Sequence, residues 1–290
     1  MKKESIYDGT LEDEKICDNF IKRFLRHGEK FVKESCFPYG KYNAVVSGKV
    51  DSSFVDDFQY FVFTKSIKSL GSIKQLLKIG HIEDVFILLR TSFEGYIASR
   101  YMDEQYDITF LNDFIFIPQL ITARKAIRNE EGKTVERETK EIIEFIQRDP
   151  SDMKLGKDKE YYYEFYAFLC NYAHCNFSII DGYLDEIGLF TCANSKYQYL
   201  SKLLVIFVYI KLFESIVTVE GEDFSTDYEE KECYRLVRES TKFIYDKLSE
   251  IPKHIGKSEN EMLDRHMAKM FKAMRKSLKE ELGSLKKDFL

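Results

Sequence analysis

Tryptophan is absent from this 290-residue sequence, and proline occurs only four times and glycine fourteen times. So few turn formers exclude the frequent reversals of a β-sandwich or barrel. No Cys-x-x-Cys pair occurs either: Cys17, Cys36, Cys170, Cys175, Cys192 and Cys233 are scattered. That pattern points to reduced thiols. The N-terminus, MKKESIYDGTLEDEK, has no apolar stretch after its two lysines, so a cytoplasmic protein is expected. The most apolar run, LLVIFVYI at 203–210, stops at Lys211 and falls far short of the roughly 20 residues of a membrane span. No membrane partner is expected. Lys and Arg number 44 against 49 Asp and Glu, a formal net charge of −5, so any attraction for nucleic acid has to come from a local basic patch.

What is present is aromatic and helical in its spacing. With 24 Phe, 19 Tyr, 44% hydrophobic and 32% charged residues, the chain has an ordinary globular balance and enough length for a sizeable core. Apolar residues recur at three and four positions almost throughout, which predicts an all-α bundle of about seven helices within 1–250. The pattern places helices at 11–35, 53–79 and 82–101, with a loop, CFPYGKYNAVVSGKVDSS, between the first two. Phe54, Phe58, Phe61, Ile73 and Leu77 mark the apolar side of the second, and Gly80 closes it. A further helix at 108–128 carries Pro118 as a kink, and a polar helix at 134–148 ends at Pro150. Helices at 196–219 and 228–249 complete the domain. After a hinge, IPKHIGKSEN, an amphipathic C-terminal segment fills 257–290. Its helix, at 259–287, has a near-heptad seam of Leu263, Met267, Met270, Met274, Leu278, Leu282 and Leu285, flanked by Arg265, Lys269, Lys272, Arg275, Lys276 and Lys279. That helix is expected to pair with a second subunit or recruit a protein partner, or else to pack on its own domain.

Two places carry chemistry. In YYYEFYAFLCNYAHCNFS, residues 161–178, helical geometry lines Glu160, Tyr163, Ala167, Cys170, Asn171 and His174 along one stripe. Cys170 and His174 at i, i+4, with Cys175 and Cys192, have the ligand types of a zinc site but poor spacing, so no metal is expected. The stripe suits a cleft or interface, or a histidine satisfied by a neighbouring carbonyl. On the helix at 82–101, Arg90 sits among Phe86, Ile87, Leu89, Phe93 and Ile97. A buried guanidinium needs a partner, and Glu94 one turn on is the obvious one.

These residues carry a resemblance. SLGSIKQLLKIGHIEDVFILLRTSFEGYIASRYM followed by YAFLCNYAHCNFS resembles a group of bacterial all-helical proteins that is in turn similar to the HEPN superfamily. The matching features are Arg-x-x-x-Glu, here Arg90 and Glu94, and Tyr-x-x-Leu-x-x-x-x-His, here Tyr166, Leu169 and His174. The resemblance implies a helical-bundle homodimer and a metal-independent ribonuclease of antiphage defence or a toxin system, with RNA as partner. HEPN sites place an Arg before the His with four to six residues between them. Here Ala167, Phe168 and Leu169 stand in that region, and Asn171 is the nearby polar residue.

The reading that follows is a cofactor-free endoribonuclease. His174 would take a proton from the ribose 2′-hydroxyl, Arg90 held by Glu94 would stabilise the phosphate charge, and Asn171 would position the phosphate or the histidine. Two alternatives use the same residues. One is a non-enzymatic helical interaction or scaffold protein, which the missing Arg favours; the other is a nucleotide or small-ligand sensor with Arg90 as anion clamp.

Overall fold

The computed structural model describes residues 9–47, 53–105, 117–144, 152–153, 161–174, 177–184, 187–192, 197–217, 227–250 and 261–285. It is an all-α helical bundle with one small two-stranded hairpin. The helices are α1 (Leu11–Glu34), α2 (Tyr39–Ser47), α3 (Ser53–Ile79), α4 (Ile82–Gln105), α5 (Ile117–Thr122), α6 (Tyr162–Ala173), α7 (Gln198–Leu212), α8 (Asp227–Glu250) and α9 (Glu261–Leu285). A 3₁₀ segment, Phe177–Tyr183, follows α6, and a π-turn, Phe213–Val217, extends α7.

A capping box starts α1. Thr10 accepts from the Asp13 backbone N–H at 3.1 Å, and the Asp13 carboxylate accepts from the Thr10 N–H at 3.4 Å, which answers two of the orphan donors of a first turn. Cys17, Phe20, Ile21, Phe24, Gly28 and Phe31 then recur on the buried face. At Gly28 that face comes so close to α3 that a Cβ would lie 2.2 Å from Ile67 Cδ1. Gly80, at φ +80, turns the chain between α3 and α4, whose packing is the most extensive between any two described elements.

The centre of the bundle is α7. Every residue from Tyr199 to Leu212 is buried, as expected of a helix that is apolar on all sides. Its two lysines are buried with it and are paired. Lys202 donates to Glu14 at 3.0 Å and lies 2.8 Å from Asp18, both on α1. Lys211 pairs with Glu281 on α9 and donates to Ser277 at 2.7 Å.

Several elements differ from the sequence expectation. The loop at 36–53 contains α2. Its first turn is held by α3: Asp57 accepts the Gly40 and Lys41 N–H groups at 3.0 and 2.7 Å. On α3 the buried face is Val55, Gln59, Val62, Phe63, Ser66, Ile67 and Leu70 as well as Ile73 and Leu77, while Phe61 is 59% exposed. The helix expected at 108–128 is the short α5 in its described part, with Pro118 in its first turn, where a missing N–H costs nothing; residues 108–116 lie outside the described residues. The polar helix expected at 134–148 is instead strand Thr134–Glu136, paired antiparallel with Ala126–Arg128. Between them Asn129 accepts from the Lys133 N–H at 2.9 Å and Gly132 adopts φ +77, a reversal that only a glycine makes without strain.

The C-terminal seam is covered by the chain itself. Met267, Met270, Phe271, Met274 and Leu278 belong to the single buried cluster, and α9 packs on α8 and α6. The side chains of Leu263, Arg265 and Leu285, and the hinge 251–260, lie outside the described residues. This local cover removes the reason for expecting a second subunit on the seam.

Candidate functional site

α4 and α6 lie side by side and antiparallel. Phe93 meets Phe165 at 4.8 Å between ring centroids, and Phe86, two turns earlier on α4, meets Phe168 at 5.1 Å and Tyr172 at 4.5 Å on the later part of α6. This aromatic seam fixes the register of the polar residues beside it.

In that register Arg90, Glu94 and Tyr166 close a three-membered ring. Arg90 Nη2 lies 3.0 Å from Glu94 Oε1 and donates to the Tyr166 hydroxyl at 3.1 Å, and that hydroxyl donates to Glu94 Oε1 at 2.8 Å. The guanidinium also stands 5.4 Å from the centroid of the Tyr166 ring, a cation–π distance. Below it Tyr162 stacks on Tyr166 at 5.2 Å and 17°. Burial pushes the Tyr166 hydroxyl up to about 12; Arg90 opposes this and Glu94 adds to it. For Arg90, burial acts to lower the pKa, but the Tyr166 hydrogen bond and the Glu94 charge outweigh it and hold the guanidinium above its usual value. The charged state is therefore the stable one. Arg90 Nε is buried without a hydrogen-bond partner.

Asn171 and His174 stand elsewhere. The α6 helix ends at Ala173. His174 is its C-cap at φ −111 and ψ 153, with its N–H on the Cys170 carbonyl at 3.2 Å. The chain turns away after it, and its side chain is exposed. Eight residues beyond Tyr166, it lies roughly 12 Å further along the helix direction, past the level of Phe86. Asn171, half-buried, sits one turn before it, near the Phe86 level. The structure thus brings Arg90 and Glu94 together with Tyr166, and no hydrogen bond or ion pair among the described residues joins His174 to them. Glu160 and Cys175 lie outside the described residues. Among the described residues no group of three or more His, Cys, Asp or Glu side chains is placed to hold a metal ion.

The residue that sequence reasoning undervalued is Tyr166. It entered only as part of a motif, yet its hydroxyl is the link that ties α6 to the Arg90–Glu94 pair. Glu94 also stands on the wall of a pocket of about 320 Å³ between α3 and α4, with Phe58, Phe61, Val62 and Met153 around it. A second, open groove of about 510 Å³ runs along α9 beside α8 and α6.

Comparison with known proteins adds one finding. Residues 59–187 match the model of a family of unknown function (DUF5677), a stretch that holds Arg90, Glu94, Tyr166, Asn171 and His174. No curated protein and no solved structure matches the chain. Among the described residues no helix is long and apolar enough to cross a membrane.

Proposed function

We propose that this protein is a non-enzymatic helical interaction protein, of the antiphage-defence or toxin-associated kind that the HEPN resemblance implies. The observation that carries this is the closed ring. Arg90 spends its charge on Glu94 and Tyr166 within the chain, and the exposed His174 stands about 12 Å from that level along the helix direction. Arg90 Nη2 is shared between both partners, and in ribonuclease chemistry the base must reach the same phosphate as the cation. Here the ring acts as a rivet between α4 and α6.

The surface of interaction is the α2 region, and its occupant is a second copy of the chain. Phe37, Tyr39 and Tyr42 cluster ring to ring at 4.6 and 6.3 Å and are 48%, 58% and 58% exposed, with Val45 and Val46 still more so. An apolar patch of this kind marks a contact site, and the implied homodimer supplies the partner. Light scattering is expected to show a dimer that Tyr42→Lys with Val45→Glu converts to monomer without a change in helical content. A monomer at all concentrations in the unmodified protein rules the dimer out.

A second reading, ribonuclease action across that dimer, is favoured by the exposure of His174 at the end of α6. If one subunit offers Arg90 and the other His174, mixing Arg90→Ala with His174→Ala protein restores RNA cleavage that each variant lacks. Failure of the mixture to cut RNA that the unmodified protein cuts excludes a shared site.

A further inference from the structure

The groove along α9 is lined by cations. Lys269, Lys272, Lys276 and Lys279 follow a 3-4-3 spacing, so they form one stripe rising about 15 Å along the helix, and Arg275 stands on its flank. The seam of Met267, Met270, Met274 and Leu278 faces the opposite way, into the core. The stripe therefore cannot turn away from solvent without unfolding α9.

Several cations elsewhere are answered by carboxylates. Arg23 meets Glu239, Lys30 meets Glu229, Lys247 meets Asp13, and even buried Lys202 and Lys211 have acidic partners. Among the described residues no carboxylate pairs with Lys269, Lys272, Arg275 or Lys279, and Glu164 of α6 is the one acidic residue lining the groove. Like charges one turn apart weaken a helix, so this arrangement is unfavourable in the free protein. It is relieved by an anion that spans several of the cations at once.

Arg275 is also pre-positioned. Its guanidinium lies 4.7 Å from the centroid of Tyr245 on α8, and its Nε has no hydrogen-bond partner. This cation–π contact holds the head group beside the ring without engaging a carboxylate. We infer that this groove is a binding site for an extended polyphosphate backbone. Lys269, Lys272, Arg275 and Lys279, spread over about 15 Å, exceed what one phosphate needs, and the groove is open along its length, which suits a linear chain running through it. Two sources share this chemistry: the backbone of a single-stranded nucleic acid and inorganic polyphosphate. The site stands apart from the Arg90 ring and does not depend on the function proposed for it.

The test is fluorescence anisotropy on the full chain with a labelled single-stranded oligonucleotide of roughly 12 nucleotides, at about 50 and about 200 mM salt. Inorganic polyphosphate and polyglutamate serve as competitors. Binding should weaken steeply with salt. Lys269→Glu with Lys272→Glu and Lys279→Glu should lower the affinity at least about tenfold and reduce the slope of log K against log salt by about 2, at an unchanged thermal midpoint. Lys68→Glu, an exposed lysine on α3, should leave both unchanged. Displacement by polyphosphate at equal phosphate concentration assigns the site to the shared backbone, and poor displacement assigns it to nucleic acid. The inference is overturned if the triple variant binds as tightly as the parent, if polyglutamate competes as well as polyphosphate, or if neither phosphate ligand binds at low salt.

Discussion

Lys211 and Glu281 form an ion pair with almost no exposure to solvent, 0% and 1% respectively. Lys211 also faces the rings of Tyr161 at 5.5 Å and Phe207 at 5.4 Å, and Ser277 bridges it to Glu281. The lysine that ends the most apolar run of the sequence is thus the internal anchor of the C-terminal helix. Removing one partner leaves a charge buried without its counterion, so Lys211→Ala or Glu281→Ala should each cost about 3–5 kcal/mol. The paired replacement Lys211→Met with Glu281→Leu should recover most of that loss. Urea unfolding of the three variants measures it; additive losses in the double variant would show that the two residues do not act as a pair.

Truncation after residue 260 should not yield a folded smaller protein. It removes Met267, Met270, Phe271, Met274 and Leu278 from the core and strips Lys211 of its partner. At about 1.5–3 kcal/mol per buried large side chain, the loss is as large as the roughly 5–15 kcal/mol that holds a domain together. Circular dichroism should show no cooperative melt. A sharp transition near that of the full chain would make α9 an appendage.

His27 makes stability depend on pH. It is buried on α1, where Arg26 donates to Nε2 at 2.8 Å, which requires a lone pair there and so places the proton on Nδ1, facing Glu229 Oε2 at 3.2 Å. Burial lowers its pKa, Arg26 assists, and Glu229 only partly opposes. The unfolded chain then takes up a proton that the folded chain refuses. The contribution is full above the ordinary histidine value of about 6.5 and is lost as pH falls below it. Glu229, lowered chiefly by its hydrogen bond from Lys30, adds a loss of the same sign in the carboxylate range. The thermal midpoint should fall between about pH 7 and about pH 5.5, and His27→Gln should flatten that fall. An equal fall in the variant would place the sensitivity elsewhere.

The ring predicts its own phenotype. Tyr166→Phe keeps the aromatic packing and deletes only the hydroxyl shared by Arg90 and Glu94, so it should cost about 1 kcal/mol. Arg90→Lys should not be neutral, because the ammonium loses the planar guanidinium's contact with the Tyr166 ring. Guanidinium unfolding curves check both; unchanged midpoints would mean that the ring holds nothing together.

The helices that were legible in the sequence are those whose own periodicity decides them. α1, α3, α8 and α9 carry apolar residues at three and four positions over 24 or more residues, and α7 is apolar throughout. What was not legible depends on distant partners. α2 owes its first turn to Asp57, 16 and 17 residues away. The hairpin at 126–136 hides in a charged stretch, where an Asn129 side chain and one positive-φ glycine outweigh a weak helical spacing. In the site, Arg90 with Glu94 was readable because both lie on one helix at i, i+4. The Tyr166 link needed the α4–α6 register, which the pattern of neither helix alone carries.

The most direct measurement is the length of RNA after it has met the protein. Labelled single-stranded RNA is incubated with the full chain in the presence of a chelator, resolved on a denaturing gel, and compared with His174→Ala and Arg90→Ala protein. If the Arg90–Tyr166–Glu94 ring is a rivet and not a catalytic site, the RNA stays full length with all three proteins. RNA shortened by the unmodified protein but left intact by His174→Ala would contradict the account and make His174 a catalytic residue.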